Sequence, residues 1–115
     1  MIIYLYSKCS TCQQALTFLK NRNASITVKE ITTEPPTIAE LQMMLTFQNG
    51  NIKKLLNTSG LLYREMRLSE KVPTMQSAEI LALLSQHGML IKRPFLLGKD
   101  FGFTGFNEVE WSLKL

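Results

Sequence analysis

A change of hydrophobic period within the first 31 residues constrains this chain more than anything else in it. Ile2-Ile3-Tyr4-Leu5-Tyr6 is a short β-branched and aromatic run closed by Ser7-Lys8, the pattern of a buried strand followed by a turn. From Ser10 the period becomes helical. Cys12, Ala15, Leu16 and Leu19 fall at i, i+3, i+4 and i+7, one face of a helix that runs to about Asn21. Asn21-Arg22-Asn23 breaks it, and Ser25 to Ile31 alternates with period two before Pro35-Pro36, giving a second strand. Strand, helix and strand within about 30 residues make a βαβ unit, so the two strands are expected to be parallel and joined by a right-handed crossover.

Beyond the double proline the pattern is helical. Thr37-Ile38-Ala39-Glu40 fits a capping box, with Ile38, Leu41 and Leu45 as the apolar stripe of the helix behind it, and Gln48-Asn49-Gly50 stops that helix. Ile52 to Leu56 and Leu61 to Met66 have helical spacing and are separated by the turn formers Asn57-Thr58-Ser59-Gly60. A further helix spans about Ser77 to His87, with Ile80, Leu81, Leu83 and Leu84 apolar and Gly88 placed as its C-terminal cap. Met89 to Gly98 reads as a strand entered at Pro94, Phe101 to Phe106 as its hairpin partner, and Asn107 opens a short last helix through Trp111. The order is βαβ, a helical insertion over about 37–87, then ββα. This is an α/β chain with a mixed four-stranded sheet of thioredoxin-like topology, expected to form one domain over 1–115.

Composition narrows the function classes. With 115 residues, 45% of them apolar, one core can be buried without disulfides or metals. No apolar run approaches the roughly 20 residues of a membrane span, and no basic-then-apolar leader precedes Ile2, so the expected location is the cytoplasm and no membrane partner is expected. Thirteen Lys and Arg against nine Asp and Glu give a formal charge of +4, but the basic residues are scattered, which argues against a direct nucleic-acid surface. A monomer is expected.

The chemistry lies in Cys9-Ser10-Thr11-Cys12. Cys9 falls between the first strand and the first helix, where the backbone N–H groups of Ser10, Thr11 and Cys12 and the positive end of the helix dipole stabilise a thiolate or bind an oxyanion. Cys12, one turn on and facing the core, is the natural resolving thiol, and Lys8 adds positive charge nearby. Two other readings remain open: inert buried thiols, and half of a zinc site, for which His87 is the only histidine. Arg93 directly before Pro94 is the second feature. A proline at that strand entry is expected to lie against the Cys-x-x-Cys loop, and the guanidinium to pair with a Cys9 thiolate or a bound anion; the alternative for Arg93 is a surface charge at a strand edge.

Four segments in this order resemble one known family: Tyr4-x-x-x-Lys8-Cys9-Ser10-Thr11-Cys12, Leu56-Asn57-Thr58-Ser59-Gly60-x-x-Tyr63-Arg64-Glu65, Gly88 to Pro94, and Gly105-Phe106-Asn107-Glu108. Together they are similar to the arsenate-reductase-like (ArsC) family that includes Spx and MgsR. The resemblance implies a thioredoxin fold with a helical insertion, an active cysteine at Cys9 and an arginine before a cis-proline at Arg93-Pro94. It implies no resident cofactor, with glutathione, a glutaredoxin or a thioredoxin as external reductant. It also frames the choice of function. One reading is a thiol oxidoreductase with Cys9 as nucleophile, Cys12 resolving and Arg93 stabilising the anion. A second is an Spx-like redox-sensing regulator of transcription that binds the C-terminal domain of the RNA polymerase α subunit. A third is a glutaredoxin-linked arsenate reductase, in which Asn57 stands where such enzymes carry another arginine.

Overall fold

The computed structural model describes residues 1–115. Strand β1 (Ile2–Leu5) leads through a turn into helix α1 (Ser10–Asn21) and strand β2 (Thr27–Glu30). β1 and β2 are parallel, with Ile2 opposite Thr27 and Leu5 opposite Glu30, as a βαβ unit requires. β3 (Phe95–Leu97) lies antiparallel on the other side of β1, and β4 (Gly102–Thr104) pairs antiparallel with β3, so the strand order is β2-β1-β3-β4. The mixed four-stranded sheet is the one expected.

Alternation along the two central strands divides the core between the sheet's two faces. Ile3, Leu5 and Leu96 join Cys12, Ala15, Phe18 and Leu19 of α1 and Trp111 of the last helix, α6 (Glu108–Lys114), in one cluster. Tyr4, Phe95 and Leu97 face the other way, into a larger cluster built from the helical insertion. That insertion consists of α2 (Ile38–Phe47), a 3₁₀ turn (Ile52–Leu55), α3 (Leu61–Glu65), α4 (Leu68–Lys71), a second 3₁₀ turn (Val72–Thr74) and α5 (Ser77–Gln86). Neither α4 nor the turn after it has a clear signal in the sequence: Arg67 enters α4 with a positive φ of 52°, and Leu68 and Val72 are the buried anchors.

Local chemistry sets the ends of α2. The Thr37 side chain accepts from the Glu40 N–H (3.1 Å) and the Glu40 carboxylate accepts from the Thr37 N–H (3.0 Å), completing the capping box. The same carboxylate accepts a 2.7 Å bond from the Tyr4 hydroxyl, so the cap also ties α2 to the central strand. Burial, and then this contact, push the Tyr4 phenol above its ordinary range.

Three expectations are corrected. Ile38 does not belong to the buried stripe of α2. It is 52% exposed, and Leu41, Met44 and Leu45 carry the packing, because the first residue after an N-cap sits on the turn that faces solvent here. Gly88 is not a C-terminal cap in the left-handed region: His87 caps α5, and Gly88 begins a 3₁₀ turn (Gly88–Leu90) pressed against the end of β2, where an added Cβ would overlap the Ile31 carbonyl oxygen. Met89 to Gly98 is not one strand. Its first third is that turn, Ile91 forms an isolated antiparallel bridge with Leu56, and regular pairing begins only at Phe95, after Pro94.

Gly88→Ala must displace backbone, whereas Thr37→Ala removes one cap. In urea unfolding, Thr37→Ala is expected to cost about 1 kcal/mol and Gly88→Ala about 2–3 kcal/mol.

Candidate active site

Cys9 is the N-cap residue of α1. Its backbone is extended (φ −97°, ψ 117°), its N–H donates to the Tyr6 carbonyl (3.0 Å), and its Sγ accepts from the Cys12 N–H at 3.4 Å. The sulfur therefore occupies the place that an oxygen fills in most N-caps, facing the unpaired donors of the first turn. No acidic residue lies in that turn to compete with a thiolate. Both cysteines are free thiols; Cys9 is partly exposed and Cys12 is fully buried.

Arg93 approaches from the opposite side. The Arg93–Pro94 peptide is cis, and the guanidinium lies 5.0 Å from the centroid of the Tyr6 ring. Its Nε and Nη1 are buried and have no hydrogen-bond partner, an uncommon state for charged donors. Partial burial acts to raise the Cys9 pKa, but the Cys12 thiol and N–H together with the Arg93 guanidinium outweigh it, and the Cys9 thiol falls below its ordinary value. Cys12 moves the other way: burial, reinforced by the neighbouring Cys9, pushes it up to about 12. Two identical side chains three residues apart are thus displaced in opposite directions, Cys9 toward the thiolate and Cys12 toward the thiol.

A cleft of about 570 Å³ opens in front of Cys9 and is also lined by Thr11 and Arg93. Cys12 and Pro94 are buried behind it, and Lys8 and Ser10 are exposed outside its lining; Arg93, not Lys8, is the cation that acts on the Cys9 thiol. No three His, Cys, Asp or Glu side chains converge on a metal position, and no helix is long and apolar enough to cross a membrane.

The ArsC family profile matches residues 4–113. The chain belongs to the ArsC family. Among curated relatives of this ArsC-family chain, the uncharacterized protein YusI of Bacillus subtilis is 38% identical over 108 residues, spanning 94% of this chain and 92% of that protein. The global transcriptional regulator Spx of Streptococcus pneumoniae is 25% identical over 108 residues, spanning 94% of this chain and 80% of Spx. A crystal structure of an ArsC family related protein from Bacteroides fragilis superposes with a TM-score of 0.90 at 38% identity, covering 97% of this chain and 94% of that one.

The structure also brings to the cleft Asn57, which the family resemblance had marked, and residues to which sequence reasoning assigned no role. Lys54, at the end of the first 3₁₀ turn, and Lys92 stand on its rim, while Gln48, Asn57 and Glu110 come from three other elements. The Lys92 N–H donates to the Leu55 carbonyl (2.9 Å) beside the Leu56–Ile91 bridge, which brings Lys92 next to the segment that carries Lys54. Thirty-eight positions apart in sequence, they share no motif; Lys92 lies within the Gly88 to Pro94 segment of family resemblance, and Lys54 lies two residues before the Leu56 segment.

The pKa ordering makes iodoacetamide a direct probe. Alkylation of wild-type protein is expected to modify Cys9 alone at neutral pH. Because a lowered pKa keeps the thiolate populated at lower pH, its pH–rate midpoint should lie below that of an unperturbed cysteine. Arg93→Met is expected to raise that midpoint, and Tyr6→Leu, which frees the guanidinium from its aromatic seat, to raise it by a smaller amount.

Proposed function

We propose that this chain is a thiol–disulfide oxidoreductase in which Cys9 attacks and Cys12 resolves. The opposed displacement of the two thiols, Cys9 down and Cys12 up to about 12, carries this reading, because it assigns the attacking and resolving roles by chemistry rather than by order in the sequence. The Cys9 thiolate attacks one sulfur of a disulfide substrate, forming a Cys9–substrate mixed disulfide and releasing the other half as a thiolate. Cys12 then gives up its proton to solvent or to the departing thiolate and attacks the Cys9 sulfur. This releases the second half of the substrate and leaves a Cys9–Cys12 disulfide. Two electrons have passed from the dithiol to the substrate, and an external thiol, such as glutathione or the dithiol of a glutaredoxin or thioredoxin, restores the pair. Arg93 supports the anion at Cys9 before attack and again when the pair is reduced.

Arsenate reduction is less well supported. Asn57 donates its amide to the Met89 carbonyl at 3.3 Å, so the position holds part of the backbone together rather than offering a charge to an oxyanion.

The similarity to Spx over 94% of this chain favours a second reading, a redox-dependent contact with the C-terminal domain of the RNA polymerase α subunit. The two readings separate in binding calorimetry with that domain. Affinity that changes between the dithiol and disulfide forms supports the regulator, and no binding in either form removes it.

Trapping tests the principal reading. Reduced Cys12→Ser protein mixed with a small disulfide is expected to accumulate one adduct on Cys9 by mass spectrometry. Wild type should instead lose two hydrogen atoms, passed to the small disulfide as protons and electrons, in forming its internal disulfide, and Cys9→Ser should do neither. An adduct on Cys12, or none on either cysteine, would defeat the assignment.

A further inference from the structure

Resting on the disulfide-exchange reading, we infer that the cleft in front of Cys9 selects organic disulfides that carry a carboxylate, and that Lys54 and Lys92 are the residues that read that charge. Three observations lead there. The first is charge. Lys54, Lys92 and Arg93 face the cleft against a single carboxylate, Glu110, so the side chains around the Cys9 sulfur carry a net excess of two positive charges, one of which remains when Cys9 is ionised. A concave wall of one sign concentrates the field and draws in ligands of the other.

The second observation is how the lysines are fixed. The bond from the Lys92 N–H to the Leu55 carbonyl and the adjoining Leu56–Ile91 bridge fasten the Lys92 backbone to the segment that carries Lys54. The Lys92 side chain then runs across Gly105, whose positive φ of 77° and missing Cβ leave room for it: a Cβ there would stand 3.0 Å from Lys92 Cε and 3.7 Å from Nζ. The lysine is laid along the cleft wall, while Arg93 stays at the sulfur. One cation is thus placed for the reacting atom and two for a group some distance from it.

The third observation is size and lining. A volume of about 570 Å³ falls within the ~300–1,000 Å³ of clefts that take organic ligands and is far more than a small inorganic oxyanion fills. Phe103, Phe106 and Trp111 supply the apolar part of the lining, suited to the methylenes that separate a disulfide from its carboxylate. The chemistry is the exchange already written: Cys9 displaces one carboxylate-bearing thiolate, Cys12 the other, and no additional oxidant or reductant enters.

Charge-matched probes decide the matter. Reduced full-length protein would be mixed with dithiodiglycolate (anionic), hydroxyethyl disulfide (neutral) and cystamine (cationic), each second-order rate being divided by the rate of the same disulfide with free mercaptoethanol. The normalised rate for the anion is expected to exceed that for the cation by at least about tenfold at low salt and to converge with it as ionic strength rises. In Lys54→Gln/Lys92→Gln the anion-to-cation ratio should fall to within about twofold of unity, and Lys54→Glu/Lys92→Glu should invert it. Both lysines are exposed, so circular dichroism of the variants should match wild type. Normalised rates independent of charge, or a ratio unmoved by the double variants, overturn this inference and leave disulfide exchange standing. Failure of all three disulfides to react overturns the exchange reading and this inference with it.

Discussion

Helix α1 opens on a sulfur where most helices open on an oxygen. Cys9 Sγ takes the N–H of Cys12, and the backbone of Cys9 closes the preceding turn through Tyr6, so the nucleophile is held by the same bonds that end β1 and start α1. Capping is ordinarily a matter of stability worth about 1 kcal/mol. Here it also fixes the position and charge of a reactive atom. Anything that shifts the β1–α1 junction moves the sulfur relative to Arg93, which links the quality of the sheet to the chemistry of the site.

The sheet is well placed to keep that junction still. β1 is central, paired on both sides, and its side chains alternate between two cores: Ile3 and Leu5 toward α1 and Trp111, Tyr4 toward the insertion. Tyr4 has a second attachment in the Glu40 carboxylate, which simultaneously caps α2. The far side is closed by an aromatic group in which Trp111 stacks on Phe103 at 5.6 Å and meets Phe106 edge-on at 4.8 Å. That group is at once core and cleft wall. The Phe101, Phe103 and Phe106 set is accordingly only partly buried, with Gly102 the buried residue between, because α2 side chains Met44 and Phe47 crowd the space above that glycine.

Periodicity made the βαβ unit, the capping box and the final hairpin legible because each of their elements is settled by residues close to it in sequence. The features that sequence could not show depend on distant neighbours. Ile38 satisfies helical spacing yet faces solvent, since nothing in the fold covers the first turn of α2. Gly88 looks like a cap and is instead a contact with Ile31, 57 residues away in sequence. Met89-Leu90-Ile91 is apolar enough for a strand but finds only Leu56 to pair with. At the site, Cys9, Cys12 and Arg93 carried local signals, a spacing and an X-Pro step. Lys54 and Lys92 carried no signal of a role in the cleft, although Lys92 lies in the Gly88 to Pro94 segment, because a rim residue needs only a position, and that position comes from contacts between two irregular segments.

Arg93 sets the direction in which the dithiol is poised. In the reduced form its guanidinium favours the thiolate of Cys9, a counter-charge for the buried Nε and Nη1, which have no hydrogen-bond partner. Forming the Cys9–Cys12 disulfide removes the anion and leaves the half-buried cation without its local counter-charge. The cost falls on the oxidised state, as burial of an uncompensated charge always does. Stabilising the thiolate of a dithiol makes its disulfide easier to reduce. Under the disulfide-exchange proposal, the oxidised form of this site would therefore be biased toward accepting electrons again, and the cation that lowers the Cys9 pKa would also favour the return of the pair to the dithiol.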